Sequence, residues 1–173
     1  MDADRTLNLL GALGLSIGDA LQVGTAASAG SGGEAPAALV SLGAEPGLSI
    51  NDLRQILTLS HPGTVRLIDR LESQGLVERR AGADGRTLAL FLTEAGRDRR
   101  QAILNERRQQ LQPLIDVLTS AERTQLTTLL EKMLAAMTTT EQRAFAICRL
   151  CEEAVCPSDR CPVEQEYHRL VEP

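Results

Sequence analysis

The sequence is poor in aromatic residues, because it contains two phenylalanines, one tyrosine and no tryptophan. A hydrophobic core must therefore be built mainly from Leu, Ala, Ile and Val, and residues such as Leu and Ala favour helices. The 173 residues and the hydrophobic content of 43% are sufficient to bury such a core. The composition predicts a folded and mainly helical protein.

The chain also lacks an excess of positive charge, since its formal net charge is −5 at pH 7. A nucleic acid duplex repels an acidic protein unless the positive charge of that protein is gathered in one place. Residues 49–100 contain nine arginines and seven acidic residues, a net charge of +2, whereas the rest of the chain carries −7. This separation permits nucleic acid binding by the middle of the chain.

Long uninterrupted apolar runs are absent as well. Residues 7–21 are apolar, but three glycines and Asp19 interrupt them, and the segment is too short to cross a bilayer. The preceding residues, Met1 to Arg5, lack the basic start of a secretory signal. We therefore expect a cytoplasmic protein with no membrane partner.

Capping residues and hydrophobic periodicity predict two short helices and a hairpin in the middle of the chain. Ser49 can cap the first helix, and the second begins near Ser60 and ends at Gly75. Two helices separated by about three residues form a helix-turn-helix. Residues 76–80 and 87–92 have the character of short strands on either side of a charged turn, which predicts a β-hairpin.

Amphipathic helices are predicted on both sides of this unit. Apolar residues recur at helical spacing over residues 7–21, and the Gly- and Ser-rich run 24–36 is interpreted as a flexible connection or a frayed helix end. Thr93 can cap a helix that runs to about Leu118 and is bent or interrupted near Pro113.

Two capping boxes are predicted further along the chain. Thr119 and Glu122 precede the clearest amphipathic stripe, and Thr139 and Gln142 precede a helix that reaches Ala154.

These elements together predict a mainly α fold with a small β-hairpin wing (α+β), in which a winged helix-turn-helix lies between N- and C-terminal dimerisation helices. We expect four regions along the chain. They are an N-terminal dimerisation helix and connection (1–36), a winged helix-turn-helix (37–92), C-terminal dimerisation helices (93–147) and a cysteine-rich tail (148–173).

A helix-turn-helix followed by a hairpin can place its second helix in the major groove of DNA and its wing across the minor groove. The candidate DNA-contacting residues are Ser60, His61, Gly63, Thr64, Arg66 and Arg70 in the second helix and Arg79, Arg80 and Arg86 in the wing. Asp84 is expected to fix the shape of the wing tip. Ordinary helix capping would also explain a helix start rich in Ser, His, Pro and Thr.

The segment from Leu48 to Arg97 resembles the DNA-binding core of the MarR family, including Asp84-Gly85-Arg86 in the wing and Leu92 to Gly96 before the next helix. The resemblance implies a homodimer with interlocked first and last helices, pseudo-palindromic operators, and repression relieved by a small molecule or by cysteine oxidation. The apolar stripes at 7–21 and 126–137 fit a dimer interface, and an intramolecular core would also explain them. The small-molecule ligand and its residues are unknown.

All four cysteines lie within fourteen residues, as Cys148, Cys151, Cys156 and Cys161. Four thiolates in tetrahedral array suit Zn²⁺ or an iron–sulfur cluster, and His168 could replace one of them. Reversible disulfides or inert thiols, with no cofactor, are the alternatives. The tail is therefore a candidate metal site or redox switch.

Two other classes of function remain as alternatives to a DNA-binding repressor. A thiol-disulfide redox enzyme at Cys148 and Cys151 would lack its usual βαβ context, and no nucleophile–base pair accompanies it, so we expect no enzymatic activity. A winged helix used only for protein interaction is consistent with the negative net charge. Salt-dependent binding to duplex DNA distinguishes these classes.

Overall fold

The structure is a computed structural model that describes residues 2–82 and 88–171. Its elements in chain order are α1 (Asp2–Ala29), α2 (Ala35–Ala44), α3 (Ile50–Leu57), α4 (His61–Ser73), β1 (Val77–Ala81), β2 (Leu88–Leu92), α5 (Glu94–Asp116), α6 (Ser120–Met137), α7 (Glu141–Cys148), a 3₁₀ helix (Ser158–Arg160) and α8 (Pro162–Val171). The predicted mainly helical fold with one small hairpin is confirmed.

The helix-turn-helix forms where the capping residues predict it. The Ser49 hydroxyl accepts the Asp52 N–H at 3.2 Å, and the Asp52 carboxylate accepts the Ser49 N–H at 3.0 Å, so that both orphan donors at the start of α3 are satisfied. Thr58 ends α3 in the left-handed region at a φ of 55°, which redirects the chain into α4. Gly75 follows α4 at a φ of 70°, where glycine avoids steric strain.

The wing is attached to the helix-turn-helix by backbone hydrogen bonds. Strands β1 and β2 are antiparallel, with Val77 opposite Leu92 and Ala81 opposite Leu88. The backbone of Leu90 in β2 also bonds the segment before α3, because its N–H donates to Leu48 O and its carbonyl accepts the Gly47 N–H, both at 2.9 Å. The hairpin base therefore moves with α3 rather than independently of it.

A single hydrophobic core joins these elements. Its fully buried large side chains come from α2, α3, α4, both strands and α5, and they are Leu39, Val40, Leu42, Leu53, Ile68, Leu71, Val77, Leu90 and Ile103. All are aliphatic, as the scarcity of aromatic residues requires. The core holds α4 at the surface with only one side buried.

Helix α1 is longer than the sequence pattern predicts. The composition of residues 24–36 predicts a flexible connection or frayed end, but α1 continues to Ala29 and the connection shortens to residues 30–34. The reason is tertiary packing against α5, where a Cβ on Gly24 would lie 2.8 Å from Glu106 Oε1. A larger residue at position 24 would require the Glu106 side chain to move.

The predictions for the chain beyond α5 are confirmed in part. Thr119 and Glu122 form the predicted capping box of α6, and α5 continues through Pro113. The predicted start and end of the following helix are wrong. Thr140 rather than Thr139 caps α7, because the Thr140 hydroxyl accepts the Arg143 N–H at 3.1 Å, and α7 ends at Cys148 rather than at Ala154.

The second helix of the tail, α8, is not predicted by the sequence pattern. Its beginning is marked by Pro162, a residue that is favourable in the first turn of a helix, but the short segment offers little periodicity.

Candidate nucleic-acid interface and cysteine cluster

The N-terminal half of α4 presents polar side chains to solvent. Ser60 caps the helix by accepting the Gly63 N–H at 3.3 Å, and His61, Arg66 and Arg70 are exposed. Neither Arg66 nor Arg70 forms an ion pair with any residue in the ranges 2–82 and 88–171. Their guanidinium groups are therefore available to contact base edges or phosphates.

The structure contradicts the predicted role of one residue in the first turn of α4. Thr64 is fully buried, and its hydroxyl donates to Ser60 O at 3.2 Å, so its predicted DNA contact is wrong. The helical period turns this side chain toward the core, where the backbone carbonyl satisfies the hydroxyl. Gly63 is half-buried, and a Cβ there would lie 3.1 Å from Ser60 Oγ.

Arg79 links the wing to α4. One guanidinium nitrogen lies 2.6 Å from Asp69 Oδ1 and another bonds Glu72, both on α4, while only 20% of the Arg79 side chain is exposed. Its charge predicts a contact with DNA, and the structure instead engages this guanidinium in intramolecular pairs. Asp69 and Glu72 are three residues apart on one helix face, which is the signal in the sequence that could have indicated this pairing.

Arg80 remains at the surface of the wing. It pairs with Glu78 and lies 4.8 Å from the centroid of the Phe91 ring, an arrangement that restrains the side chain while leaving it exposed. The wing tip, with Asp84 and Arg86, lies outside the described residues. Their predicted roles therefore stay predictions.

The four cysteines lie around one cavity of about 440 Å³. Cys148 ends α7, Cys161 precedes α8, and the other two lie in the turns between them. Part of the cavity wall comes from the winged helix, through Val40 and Ser41 of α2 and Ile56 of α3. Sequence spacing alone does not predict this wall.

The thiols interact with one another, and this changes their acidity. The side-chain hydrogen bond from Cys148 lowers the pKa of Cys151 to about 6, with a further contribution from the positive charge of Arg107. The same bond raises the pKa of Cys148, together with burial and the neighbouring Cys161. Burial and Cys161 raise the pKa of Cys156 to about 11.

The sulfur atoms are near one another without converging on one point. In residues 2–82 and 88–171, no group of three or more His, Cys, Asp or Glu side chains is already arranged to hold a metal ion. His168 on α8 does not line the cavity, although its Nε2 is 3.8 Å from Oε1 of Glu164, which does. Both the metal site and the disulfides stay predictions.

The cysteine tail is docked on the winged helix. Phe145 and Leu150 pack against the main core, and α7 contacts α3. Two ion pairs add to this contact, Arg108 to Glu152 at 3.0 Å and Arg149 to Glu34 at 4.0 Å. A helix that ran straight to Ala154, as the periodicity predicts, would not turn back in this way.

The terminal helices expose large apolar side chains. On α1, α5 and α6 and at the residue that follows α5, these are Leu7, Leu9, Leu10, Leu13, Leu15, Val23, Leu114, Val117, Leu129, Leu130, Met133 and Met137. Helix α6 has no fully buried residue. Residues 3–29 are long and apolar enough to span a membrane, which corrects our expectation that this segment is too short, although the same composition is found in helices of soluble proteins and in signal sequences.

Comparisons with known proteins agree with this geometry. Residues 33–87 match the family model described as MarR family. A curated relative, the uncharacterized HTH-type transcriptional regulator YwhA of Bacillus subtilis, is 29% identical over 86 residues, which are 49% of this chain and 62% of the relative. The match thus spans less than two thirds of that protein.

Solved structures share the fold. The Staphylococcus aureus regulator MepR, a transcription regulator of the multidrug efflux pump MepA, superposes with a TM-score of 0.64 and 24% identity, over 74% of this chain and 95% of its own. A mutant of MepR bound to an oligodeoxyribonucleotide gives a TM-score of 0.58 and 23% identity, over 76% and 96%. About a quarter of this chain therefore has no counterpart in either structure.

Proposed function

We propose that this chain, whose residues 33–87 match the MarR family model, is a cytoplasmic transcriptional regulator of that family that binds duplex DNA as a homodimer. The observation that carries the proposal is the exposed face of α4, where His61, Arg66 and Arg70 form no ion pair with a residue in the ranges 2–82 and 88–171. The oligodeoxyribonucleotide-bound MepR mutant, which shares the fold, supports DNA as the ligand.

The charge distribution is consistent with a local DNA contact. The two acidic residues of α4 nearest the wing, Asp69 and Glu72, are paired with Arg79, which reduces their repulsion of phosphates. Arg66 and Arg70, on the same helix, have no acidic partner in the part of the chain that the structure describes. Ser60 and His61 at the start of α4 add short hydrogen-bonding groups that suit base edges.

A homodimer accounts for the exposed apolar side chains of the terminal helices. Exposed leucines on α6 are unfavourable in water, and a second copy of the chain would bury them. Insertion of α1 in a membrane would conflict with its packing, because Thr25 and Ala29 are buried and Gly24 lies against α5. Two recognition helices would then contact half-sites about 10 base pairs apart, or a multiple of that distance.

Repression of transcription is part of the proposal, with a pseudo-palindromic operator as the site. A winged helix that binds only another protein is the alternative, which the net charge of −5 favours. The effector is a small molecule or a redox signal of unspecified identity.

The test is selection of bound duplexes from a random pool, followed by affinity measurements on the selected sequence between about 50 and 200 mM salt, the range in which phosphate contacts are resolved. We expect a steep salt dependence, and the Arg70→Ala variant should flatten the slope by roughly one unit for each phosphate that is no longer neutralised. Arg66→Ala should cost ~1–3 kcal/mol and relax the sequence preference if Arg66 reads a base.

Arg143→Ala is the matched control, because Arg143 is an exposed arginine on α7 outside the winged helix. Its salt slope should equal that of the unmodified protein. Failure to enrich any sequence, or equal slopes for Arg70→Ala and Arg143→Ala, would contradict DNA binding by α4. Transcription from the promoter that carries the selected sequence then tests repression, since deletion of a repressor raises expression.

A further inference from the structure

The four cysteines have no part in the contact between α4 and DNA, yet the fold brings all of them to one cavity. Cys148 and Cys151 come together because the chain turns at the end of α7, where the Cys151 N–H donates to Cys148 O at 2.8 Å. The 3₁₀ helix then returns the chain, so that Cys161 reaches the same cavity.

The thiols form one connected set. Cys148 interacts with both Cys151 and Cys161, and Cys161 interacts with Cys156. Protonated thiols form only weak hydrogen bonds in pairs, and such bonds do not direct four sulfur atoms toward one point. Among the described residues these thiols are not arranged around a metal ion, so metal binding would require their side chains to reorient.

Charged residues lie around the thiols. Arg107 places a positive charge near Cys151, and Cys161 directly precedes α8. Three carboxylates, Glu45, Glu153 and Glu164, also line the cavity and would attract a cation.

The cavity wall contains an unsatisfied polar atom. Ser41 lines the cavity, and its Oγ is buried without a hydrogen-bond partner among the described residues. A buried hydroxyl without a partner is unfavourable, and a thiolate sulfur nearby would accept its proton in a hydrogen bond. Ser41 belongs to α2 of the winged helix, so this bond would join the tail to that domain.

We propose that Cys148, Cys151, Cys156 and Cys161 form a tetrathiolate metal site, which takes Zn²⁺ or an iron–sulfur cluster and fastens the C-terminal tail to α2 and α3. Thiolates are soft ligands that both metal centres prefer, and closed sets of four are typical of structural sites. Binding of Zn²⁺ transfers no electrons, and each thiol that is still protonated releases its proton to solvent as its sulfur binds the ion.

The tail is a segment that a cross-link would stabilise, and bound Zn²⁺ supplies one without an oxidant. The separate core of the tail contains Ala144, Cys161 and Val163 as its buried hydrophobic residues, and small units of this kind usually need a cross-link. A disulfide would need a two-electron oxidant for each bond, whereas Zn²⁺ binding needs only the ion. The tail is thus expected to be ordered by the metal and loosened by its removal.

The decisive experiment is elemental analysis of the full chain purified anaerobically, together with Zn²⁺ titration of the reduced protein against a chromophoric chelator. We expect about one Zn²⁺ per chain, or iron with acid-labile sulfide for a cluster. Replacement of all four cysteines with Ser should remove the metal. Ser41→Ala should weaken Zn²⁺ binding by roughly 10-fold, as is usual when a hydrogen bond to a ligand is removed.

The matched control is His168→Ala, which removes the histidine that could replace one of the thiolates and should leave the metal content unchanged. Added Zn²⁺ should raise the Tm of the reduced protein and of His168→Ala, and not that of the four-Ser variant, whose folding is checked by circular dichroism. The proposed metal site would be contradicted if Zn²⁺ did not raise the Tm of the metal-free protein. It would also be contradicted if mass spectrometry showed two intramolecular disulfides after anaerobic purification.

The metal site does not depend on DNA binding, because none of these measurements uses DNA. A metal site in a chain that fails to select DNA would leave this inference intact and contradict only the regulator.

Discussion

The winged helix and the segments that flank it differ in how they bury apolar residues. In the winged helix, Leu53, Ile68, Leu71 and Leu90 are fully buried by contacts within the chain. Helix α6 buries no residue completely, although it carries the clearest amphipathic stripe in the sequence. The difference shows that a regular apolar stripe predicts a helix but does not identify the surface that covers it.

The same difference separates structure that the chain completes by itself from structure that requires something else. The winged helix has a core, capped helices and a wing bonded to α3. In the proposed assembly, the terminal helices require a second copy to cover their leucines, and the tail requires a metal for its thiols.

The largest effects are expected when one leucine is replaced in each of the two regions, the core of the winged helix and the apolar stripe of α6. Leu71→Ala should lower the free energy of unfolding by ~2–5 kcal/mol, because it removes a fully buried side chain from the core. Leu130→Glu on α6 should instead weaken the dimer by about 100-fold, since a carboxylate would be buried in the apolar interface. Chemical denaturation and sedimentation measure the two effects.

Thr128→Glu is the control for the α6 variant, because at about 100° per residue Thr128 lies on the opposite face of the helix from the apolar stripe. It should sediment as the unmodified protein does. A dimer that tolerates Leu130→Glu as well as Thr128→Glu would show that α6 is not the interface.

A smaller effect is expected at the junction between the wing and α4. Arg79→Ala should destabilise the protein by about 1 kcal/mol, because it breaks pairs with Asp69 and Glu72 that are partly exposed to solvent. Its salt slope for DNA should change less than that of Arg70→Ala. Equal slopes for the two variants would mean that Arg79 leaves its acidic partners to contact phosphate.

The smallest effect is expected at the start of α6 and depends on pH. Hydrogen bonds from the backbone N–H and hydroxyl of Thr119 hold the pKa of Glu122 below its ordinary value of 4.5. A lowered pKa in the folded state means that this stabilisation is present above pH 4.5 and is lost as the pH falls through the folded-state pKa. Thermal melts should therefore show a smaller decrease in Tm on acidification for Glu122→Gln than for the unmodified protein.

Glu94→Gln provides the comparison, because Glu94 lies in the first turn of α5, which Thr93 caps by its hydroxyl alone. Its melting curve should keep the pH dependence of the unmodified protein. If Glu122→Gln also keeps it, the capping box does not contribute to acid stability.

Capping residues and glycines, which act locally in the sequence, predict much of the winged helix. Ser49, Ser60, Gly75 and Thr93 mark ends of helices through their own hydroxyls or their own backbone conformation, so the tertiary structure does not have to be known. Predictions fail where a neighbour in space decides the outcome. Thr139 and Thr140 offer similar caps, and the choice between them depends on the packing of α7.

The sequence predicts the region of the candidate DNA interface better than it predicts the individual residues that form it. The residue type of Thr64 suggests a DNA contact, but its side chain points into the core. The charge of Arg79 suggests the same, but Asp69 and Glu72 lie within reach after the wing folds onto α4. Residue type indicates the chemistry that a side chain can perform, and burial and partners decide whether it is available.

The sequence by itself determined the helix-turn-helix, the hairpin and the clustering of the cysteines, because caps, periodicity and spacing act between residues close in the chain. Only the tertiary structure decided that α1 extends to Ala29, that Arg79 is paired with Asp69 and Glu72, and that the thiols share a cavity with Ser41 and Ile56. These features depend on contacts between residues far apart in the chain. Such contacts exist only after the apolar faces of the helices have been brought together by burial.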